Sequence, residues 1–158
     1  QHPEKLIPLT ILKILKNEKI PIYGNGKQIR DWIFVEDHVD AIIKISKKGR
    51  IGETYCVGGN NEETNLNVIK CIYKVIKNMK KSNGIQIEKL SNLIEFVQDR
   101  PGHDFRYAIN NNKIRKKLKW QSSVSFEQGL IKTVKWYIKN YNNYKNVINK
   151  RQGLINKK

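Results

Sequence analysis

Asp99-Arg100-Pro101-Gly102-His103-Asp104 is the stretch around which the chain is organised. Its Pro-Gly pair is a turn signal, because proline fixes φ at one turn position and glycine tolerates a positive φ at the next. A guanidinium is the preferred fork for phosphate oxygens, and His103 adds a short-range donor beside Arg100. We therefore predict an anion-binding loop, with a diphosphate as the candidate ligand. The alternative is a surface turn in which Arg100 pairs with Asp99 or Asp104.

Strand-like and helix-like segments alternate along the rest of the chain, which is typical of an α/β fold. Segments rich in β-branched and aromatic residues predict strands over 21–23, 29–35, 54–59, 93–98 and 106–109. Gly24-Asn25-Gly26, after the first of these, has the composition of a hairpin-type turn. Helical periodicity predicts helices that begin near Pro3 and that cover 37–49, 66–79, 110–118 and 125–141.

The apolar spacing within two of these helices predicts which residues point inward. These residues are Val39, Ile42, Ile43 and Ser46 in the second helix, and Leu130, Val134, Tyr137 and Ile138 in the last. Asn65 is a good N-cap for the helix that follows it. Cys56 and Cys71 have no metal-binding or CxxC spacing and lie in apolar contexts, so we expect buried thiols in a reducing compartment.

The net charge of the 158-residue chain is +17, which invites a nucleic-acid interpretation. Only six of the 31 basic residues are arginine, however, and the lysines accompany many Asn and Ile residues. Codon bias in an AT-rich genome produces that combination without any binding function. The three histidines lack metal-ligand spacing, so we predict no metal site. No apolar run is long enough to span a bilayer, and no signal peptide opens the chain.

Catalytic motifs are missing from the sequence, although potential binding groups are present. The chain has no glycine fingerprint of the GxGxxG type after a first strand and no YxxxK pair. No Ser/His/Asp or Cys/His set can be argued either. The chain also begins abruptly at Gln1-His2-Pro3 without a methionine, as if cut from a longer protein.

Several motifs occur in a fixed order and carry a family resemblance. They are QHPEKLIPL at 1–9, PIYGNG at 21–26, QIRDW at 28–32, VEDH at 35–38, GETY at 52–55 and DRPGHD at 99–104. Together they closely resemble the C-terminal half of the dTDP-glucose 4,6-dehydratases, which are extended short-chain dehydrogenases/reductases. The resemblance covers nearly the whole chain, from Gln1 to about Tyr141. It implies an α/β substrate-binding portion over 1–141, with a Rossmann-type N-terminal half missing. The Lys/Asn-rich composition of 142–158, where the sequence departs from the family, predicts a loosely ordered tail.

The resemblance also implies a function and a set of site residues. Members of the family convert dTDP-glucose to a 4-keto-6-deoxy sugar by C4 oxidation with NAD, water loss across C5 and C6, and hydride return. NAD and the catalytic residues would belong to the missing half, so this chain alone should be inactive. The full-length enzyme would be a cytoplasmic homodimer that binds no specific nucleic acid and no membrane. By motif position, the substrate-binding residues would be Lys5 and Leu6 in the pocket, Pro21, Ile22 and Tyr23 along the nucleoside, and Arg30, Asn65, Arg100 and His103 at the phosphates and sugar hydroxyls.

Alternatives stay open at this point. Asn65 could serve only as a helix N-cap, and Tyr23 could be a plain core aromatic. The chain could belong to another nucleotide-sugar epimerase or dehydratase of the same family. It could also be a stand-alone nucleotide-sugar-binding module, or a basic nucleic-acid-binding domain whose binding would fall steeply with salt.

Overall fold

A computed structural model describes residues 2–81 and 86–141 of the chain. Helices and strands are mixed along it, which confirms the predicted α/β class. In chain order the elements are α1 (Leu6–Leu15), β1 (Ile20–Tyr23), β2 (Ile29–Asp31), α2 (Val35–Lys48), β3 (Glu62–Thr64), α3 (Asn65–Lys81), α4 (Leu90–Leu93), β4 (Ile94–Val97), β5 (Arg106–Tyr107), α5 (Asn112–Leu118) and α6 (Phe126–Lys139). The tail predicted over 142–158 lies outside the described residues. Within the described ranges, no helix has the length and apolar character to cross a bilayer.

The strands form two small sheets. In the first, β1 and β4 run parallel, from the pair Ile20–Ile94 to the pair Tyr23–Val97. In the second, β2 lies between β3, which is antiparallel to it, and β5, which is parallel to it. The hairpin predicted at Gly24-Asn25-Gly26 is therefore wrong, because β1 and β2 belong to different sheets. The segment is still a tight turn, with positive φ at both glycines.

The main core lies between β1 and three helices, α1, α3 and α6. Its fully or almost fully buried residues include Ile11, Ile14, Ile20, Ile22, Val68, Ile69, Ile72, Ile76, Leu130, Val134 and Tyr137. The inward face predicted for the last helix is thus confirmed, with Ile138 half-buried at its edge. That helix begins with a capping box, in which Ser125 and Gln128 satisfy each other's backbone N–H groups.

The face of α2 that we predicted to point inward is wrong. Val39, Ile42 and Ile43, here called the α2 apolar face, are each about half exposed, and Ser46 is exposed as well. The buried residues of α2 are instead Asp37 and Ala41. Ala41 packs into a second, smaller core with Ile114, Leu118 and Trp120. Periodicity located the most apolar side of the helix, but nothing in the described part of the chain covers that side.

The strand predicted over 54–59 is also wrong in the described structure. Residues 54–57 make no backbone hydrogen bond to another described residue, although Tyr55 and Val57 pack on the smaller core. Cys56 is exposed between them, which corrects the expectation of a buried thiol, whereas Cys71 is half-buried. The strand predicted over 29–35 is shorter than expected, because α2 already begins at Val35.

Candidate functional site

The candidate site lies where β1 and β4 end. Because these strands are parallel and Tyr23 pairs with Val97, their carboxyl ends meet at the same edge of the sheet. The 24–26 turn leaves β1 at this edge, and the 99–104 loop leaves β4 beside it. Ligands of parallel α/β sheets bind outside the carboxyl ends of the strands. The topology therefore brings the predicted anion loop next to the exposed ring of Tyr23.

Asp99 is the hydrogen-bonding centre of the 99–104 loop. Its Oδ1 lies 2.6 Å from Nδ1 of His103 and accepts the backbone N–H of Arg100 at 2.9 Å. Its Oδ2 accepts the amide of Gln28 at 2.8 Å. The bond with His103 is the main cause that holds the pKa of the Asp99 carboxyl below its ordinary value, and the other two donors act in the same direction. The predicted turn is present, with Gly102 at φ +68° and His103 N–H donating to the Arg100 carbonyl.

Arg100 lies over the ring of Tyr23, with its guanidinium carbon 5.0 Å from the ring centroid. The alternative interpretation, an ion pair with Asp99 or Asp104, is not found among the described residues. The His103 ring meets the Tyr23 ring edge-on, with centroids 6.4 Å apart. Tyr23 is 41% exposed, so it is not a plain core aromatic. The exposed side chains of Tyr23 and Arg100 thus lie in one corner of the structure, with the largely buried imidazole of His103 beside them.

Arg30 reaches the same loop from β2. Its Nη1 donates to the Ile29 carbonyl at 2.7 Å, and its Nη2 donates to the Asp104 carbonyl at 3.0 Å. A guanidinium carries five N–H donors, so these two bonds leave others for a ligand. Arg30 is therefore anchored to the end of the 99–104 loop by its own side chain.

The remaining predicted residues divide between α1 and β1. Lys5 precedes α1 and is exposed, and Leu6 is the half-buried first residue of that helix. No hydrogen bond or ring contact between described residues joins either of them to the Tyr23–Arg100–His103 cluster. Pro21 is half-buried in β1, while the Ile22 side chain is buried in the main core. Ile22 can meet a ligand only through its backbone.

Asn65 lies close to the turn that follows β1, as the first residue of α3. Its backbone N–H donates to the Gln28 carbonyl at 3.0 Å. The side chain that caps α3 belongs to Thr64, whose hydroxyl accepts the N–H of Asn67 at 3.2 Å. The N-cap predicted at Asn65 is therefore wrong by one residue, and the Asn65 side chain is not used as a cap.

Sequence reasoning missed Gln28 and the central position of Asp99. Gln28 is 4% exposed, which is rare for a glutamine, and it contacts a residue 71 positions away. No local pattern indicates such a contact. The bond between Asp99 and His103 spans four positions within a loop, where this spacing does not indicate a contact as it would on a helix.

Comparison with known proteins gives one family. The sequence model of the GDP-mannose 4,6 dehydratase family matches residues 1–133. The dTDP-glucose 4,6-dehydratase of Haemophilus influenzae is 51% identical over 140 residues, which are 89% of this chain and 41% of that protein. The match to this dehydratase thus covers most of this chain but less than half of the relative.

Solved structures agree with that match. The dTDP-glucose 4,6-dehydratase of Bacillus anthracis in complex with NAD has a TM-score of 0.78 at 44% identity, over 90% of this chain and 42% of the other. The Streptomyces venezuelae enzyme DesIV, with NAD and TYD bound, has a TM-score of 0.75 at 37% identity, over 90% and 41%. The chain therefore spans about two fifths of the length of its relatives. By family model, sequence identity and fold, it belongs to the GDP-mannose 4,6 dehydratase family of extended short-chain dehydrogenases/reductases, alongside the dTDP-glucose 4,6-dehydratases.

Proposed function

We propose that this chain is the substrate-binding portion of a dTDP-glucose 4,6-dehydratase. The observation that carries the proposal is the placement of Arg100 and His103 beside the exposed ring of Tyr23 at the ends of two parallel strands. A tyrosine ring suits stacking on thymine, and a guanidinium suits the two phosphates of dTDP. Arg30, tied to the end of the same loop, would approach the diphosphate from the second sheet. Asn65 would address sugar hydroxyls from the start of α3.

The proposed reaction converts dTDP-glucose to dTDP-4-keto-6-deoxyglucose by C4 oxidation, water elimination and hydride return. The glycine turn at 24–26 does not have the setting of a dinucleotide site. A dinucleotide site needs a glycine turn between a parallel strand and a helix N-terminus, so that backbone N–H groups meet the pyrophosphate. Here the 24–26 turn follows the parallel strand β1 but leads into another strand, β2. We therefore assign NAD and the catalytic groups to the part of the family's length that this chain does not match.

Two surfaces support an arrangement in which further protein packs on this chain. The α2 apolar face is half exposed, and an apolar face of that kind marks an interaction site. The segment 54–57 has backbone groups that no described residue pairs, and unpaired backbone groups of this kind are where another strand can add. Both features are expected where the rest of the enzyme contacts this portion. A homodimer of the whole enzyme and a cytoplasmic location stay predictions.

Calorimetric titration of the chain with dTDP and with thymidine tests the substrate-binding proposal. Loss of a charge-assisted hydrogen bond of about 1.5–3 kcal/mol predicts that Arg100→Ala weakens dTDP binding roughly ten- to hundredfold. Thymidine, which lacks phosphates, should bind the parent and the variant equally. Arg100→Lys keeps the charge without the planar fork and should recover only part of the loss.

A matched control is Arg115→Ala, which removes the same charge from an exposed position on α5. It should leave dTDP binding unchanged. An equal loss in both alanine variants would indicate a nonspecific effect of net charge, as a nucleic-acid-binding domain would show with steep salt dependence. An equal loss for thymidine would show that Arg100 supports the fold and not the phosphates.

The assignment of NAD to other residues has its own test. The chain alone, incubated with NAD and dTDP-glucose, should show no NAD binding and form no keto-sugar that absorbs in alkali. Turnover by this chain would overturn that assignment.

A further inference from the structure

Gln28 joins two parts of the site that are far apart in sequence. It lies between the 24–26 turn and β2, and its side chain is 4% exposed. The Nε2 atom donates to Asp99 Oδ2 at 2.8 Å and to the Tyr23 carbonyl at 3.2 Å. The Oε1 atom is buried and has no hydrogen-bond partner among the described residues. Burying an unpaired amide oxygen costs free energy, so the two bonds from Nε2 must hold the side chain in place.

The backbone opposite Asp99 leaves room for this contact. A Cβ atom added to Gly24, which has φ +58°, would lie 2.8 Å from Asp99 Oδ2. A side chain at this position would therefore displace the carboxylate from Gln28. Gln28 thus donates to Asp99 Oδ2, and Gly24 leaves the space that this oxygen occupies.

Asp99 in turn constrains His103. An ionised carboxylate is only an acceptor, so the 2.6 Å contact requires a hydrogen on Nδ1 of His103. In the neutral imidazole this leaves Nε2 as the acceptor nitrogen, and the carboxylate fixes the orientation of the ring, as in other carboxylate–histidine pairs. The His103 side chain is 7% exposed, which limits its rotation. The backbone N–H of Arg100 bonds to the same carboxylate oxygen, so the root of the Arg100 side chain is fixed as well.

We propose that Gln28 and Asp99 are positioning residues for the nucleotide site, which hold His103 in its Nδ1–H tautomer and hold Arg100 beside Tyr23. The consequence for ligand binding rests on the function proposed above. The tautomer and orientation of His103 are independent of that proposed function, because they follow from contacts within the chain. A substitution of either residue should therefore alter His103 in the absence of ligand, and should alter dTDP binding in addition.

The first measurement is made without ligand, by 15N NMR of the histidine ring nitrogens, with His103→Gln to assign the signals. At a pH where the His103 ring is neutral, as judged from its own 15N shifts, the parent chain should show the Nδ1–H tautomer. In Gln28→Met, which keeps the length but loses the donor, the tautomer ratio should shift roughly three- to tenfold toward Nε2–H. Asp99→Leu should shift it further. Gln98→Met, a matched change at an exposed neighbour, should shift nothing.

The second measurement is the affinity for dTDP of the same variants, each checked for a native circular dichroism spectrum. Gln28→Met should weaken dTDP binding about three- to tenfold, with Gln98→Met equal to the parent. A parent chain with mixed His103 tautomers, or variants that leave the tautomer unchanged, would overturn the positioning roles. If the tautomer shifts as expected but no form of the chain binds dTDP, the positioning roles stand and the proposed function fails. Asp99→Leu, at a partly exposed position, decides the first measurement should Gln28→Met not fold.

Discussion

Asp37→Asn should destabilise the fold by removing a buried carboxylate that joins two elements. Asp37 is 6% exposed in the first turn of α2. Its Oδ1 accepts the Ser123 backbone N–H at 3.1 Å and the Ser123 hydroxyl at 2.7 Å, and its Oδ2 accepts the Val124 N–H at 3.0 Å. The carboxylate therefore fixes the segment that leads into α6 against the start of α2.

The expected loss can be worked out from these three bonds. Asparagine keeps one oxygen, which can still serve Ser123, but its NH2 group then faces the Val124 N–H, and two donors oppose each other. The variant loses one charge-assisted hydrogen bond, and one buried N–H donor is left unpaired. It also loses the favourable negative charge at the N-terminus of α2. Together these changes should lower the free energy of unfolding by about 2–4 kcal/mol. That is about a thirty- to thousandfold change in the unfolding equilibrium constant.

The pH dependence of the loss has a defined sign. Burial alone would raise the pKa of the Asp37 carboxyl, but the donors on Ser123 and Val124 outweigh it and the pKa is lowered overall. A carboxyl with a lowered folded-state pKa stabilises the fold fully above its unfolded pKa of about 3.9 and loses this as pH falls through the folded value. The difference between parent and variant should therefore be constant near neutral pH and shrink below about pH 4.

Urea unfolding at pH 7, 5 and 3.5, followed by circular dichroism and tryptophan fluorescence, measures this difference. Glu36→Gln makes the same change of charge at a neighbouring side chain that is 72% exposed and 3.6 Å from Lys132. This control should cost less than about 0.5 kcal/mol. Equal effects of the two variants, or a difference that persists unchanged at pH 3.5, would refute the reasoning.

Three further changes have distinct expected outcomes. A thiol reagent should modify exposed Cys56 quickly and Cys71 at least roughly tenfold more slowly, because burial raises the pKa of the Cys71 thiol, and Cys56→Ser should abolish the fast phase. Gly59→Ala should cost about 1–3 kcal/mol in urea unfolding, since its Cβ would lie 2.1 Å from the Trp32 carbonyl oxygen, and a parent-like midpoint would contradict the structure. Ser125→Ala should lower the free energy of unfolding by about 1 kcal/mol through loss of the capping box; no change would mean that the cap contributes nothing.

Local patterns in the sequence predicted the elements well, but they did not predict what covers each element. The inward residues Leu130 and Val134 of α6 were found because that helix packs on the main core of this chain. Periodicity also identified the α2 apolar face, but the prediction that this face points inward was wrong. The described residues bury Asp37 and Ala41 of this helix instead. The strand expected around Cys56 failed for the same reason. A strand needs a partner, and pairing is a long-range property.

The candidate site was predicted in part. The turn at Pro101-Gly102 and the polar groups of Arg100 and His103 were evident from residue types. The contact of Arg100 with Tyr23 was not, because the interpretation from the loop alone offered a phosphate or a neighbouring carboxylate as its partner. Gln28 was missed altogether, since it meets Asp99 only through long-range strand pairing, of β1 with β4 and of β2 with β5.

The pairing of β1 with β4 makes the candidate site depend on closure of a long segment of chain. Gln28 and Asp99 are separated by 71 residues, so the site does not exist until that segment has folded back on itself. A two-stranded sheet has little stability of its own. A nucleotide bound across both strand ends would stabilise the closed state by about 2.7 kcal/mol at a hundred times its dissociation constant. Amide hydrogen exchange in the two strands would then slow together, although only a few of their residues touch the ligand.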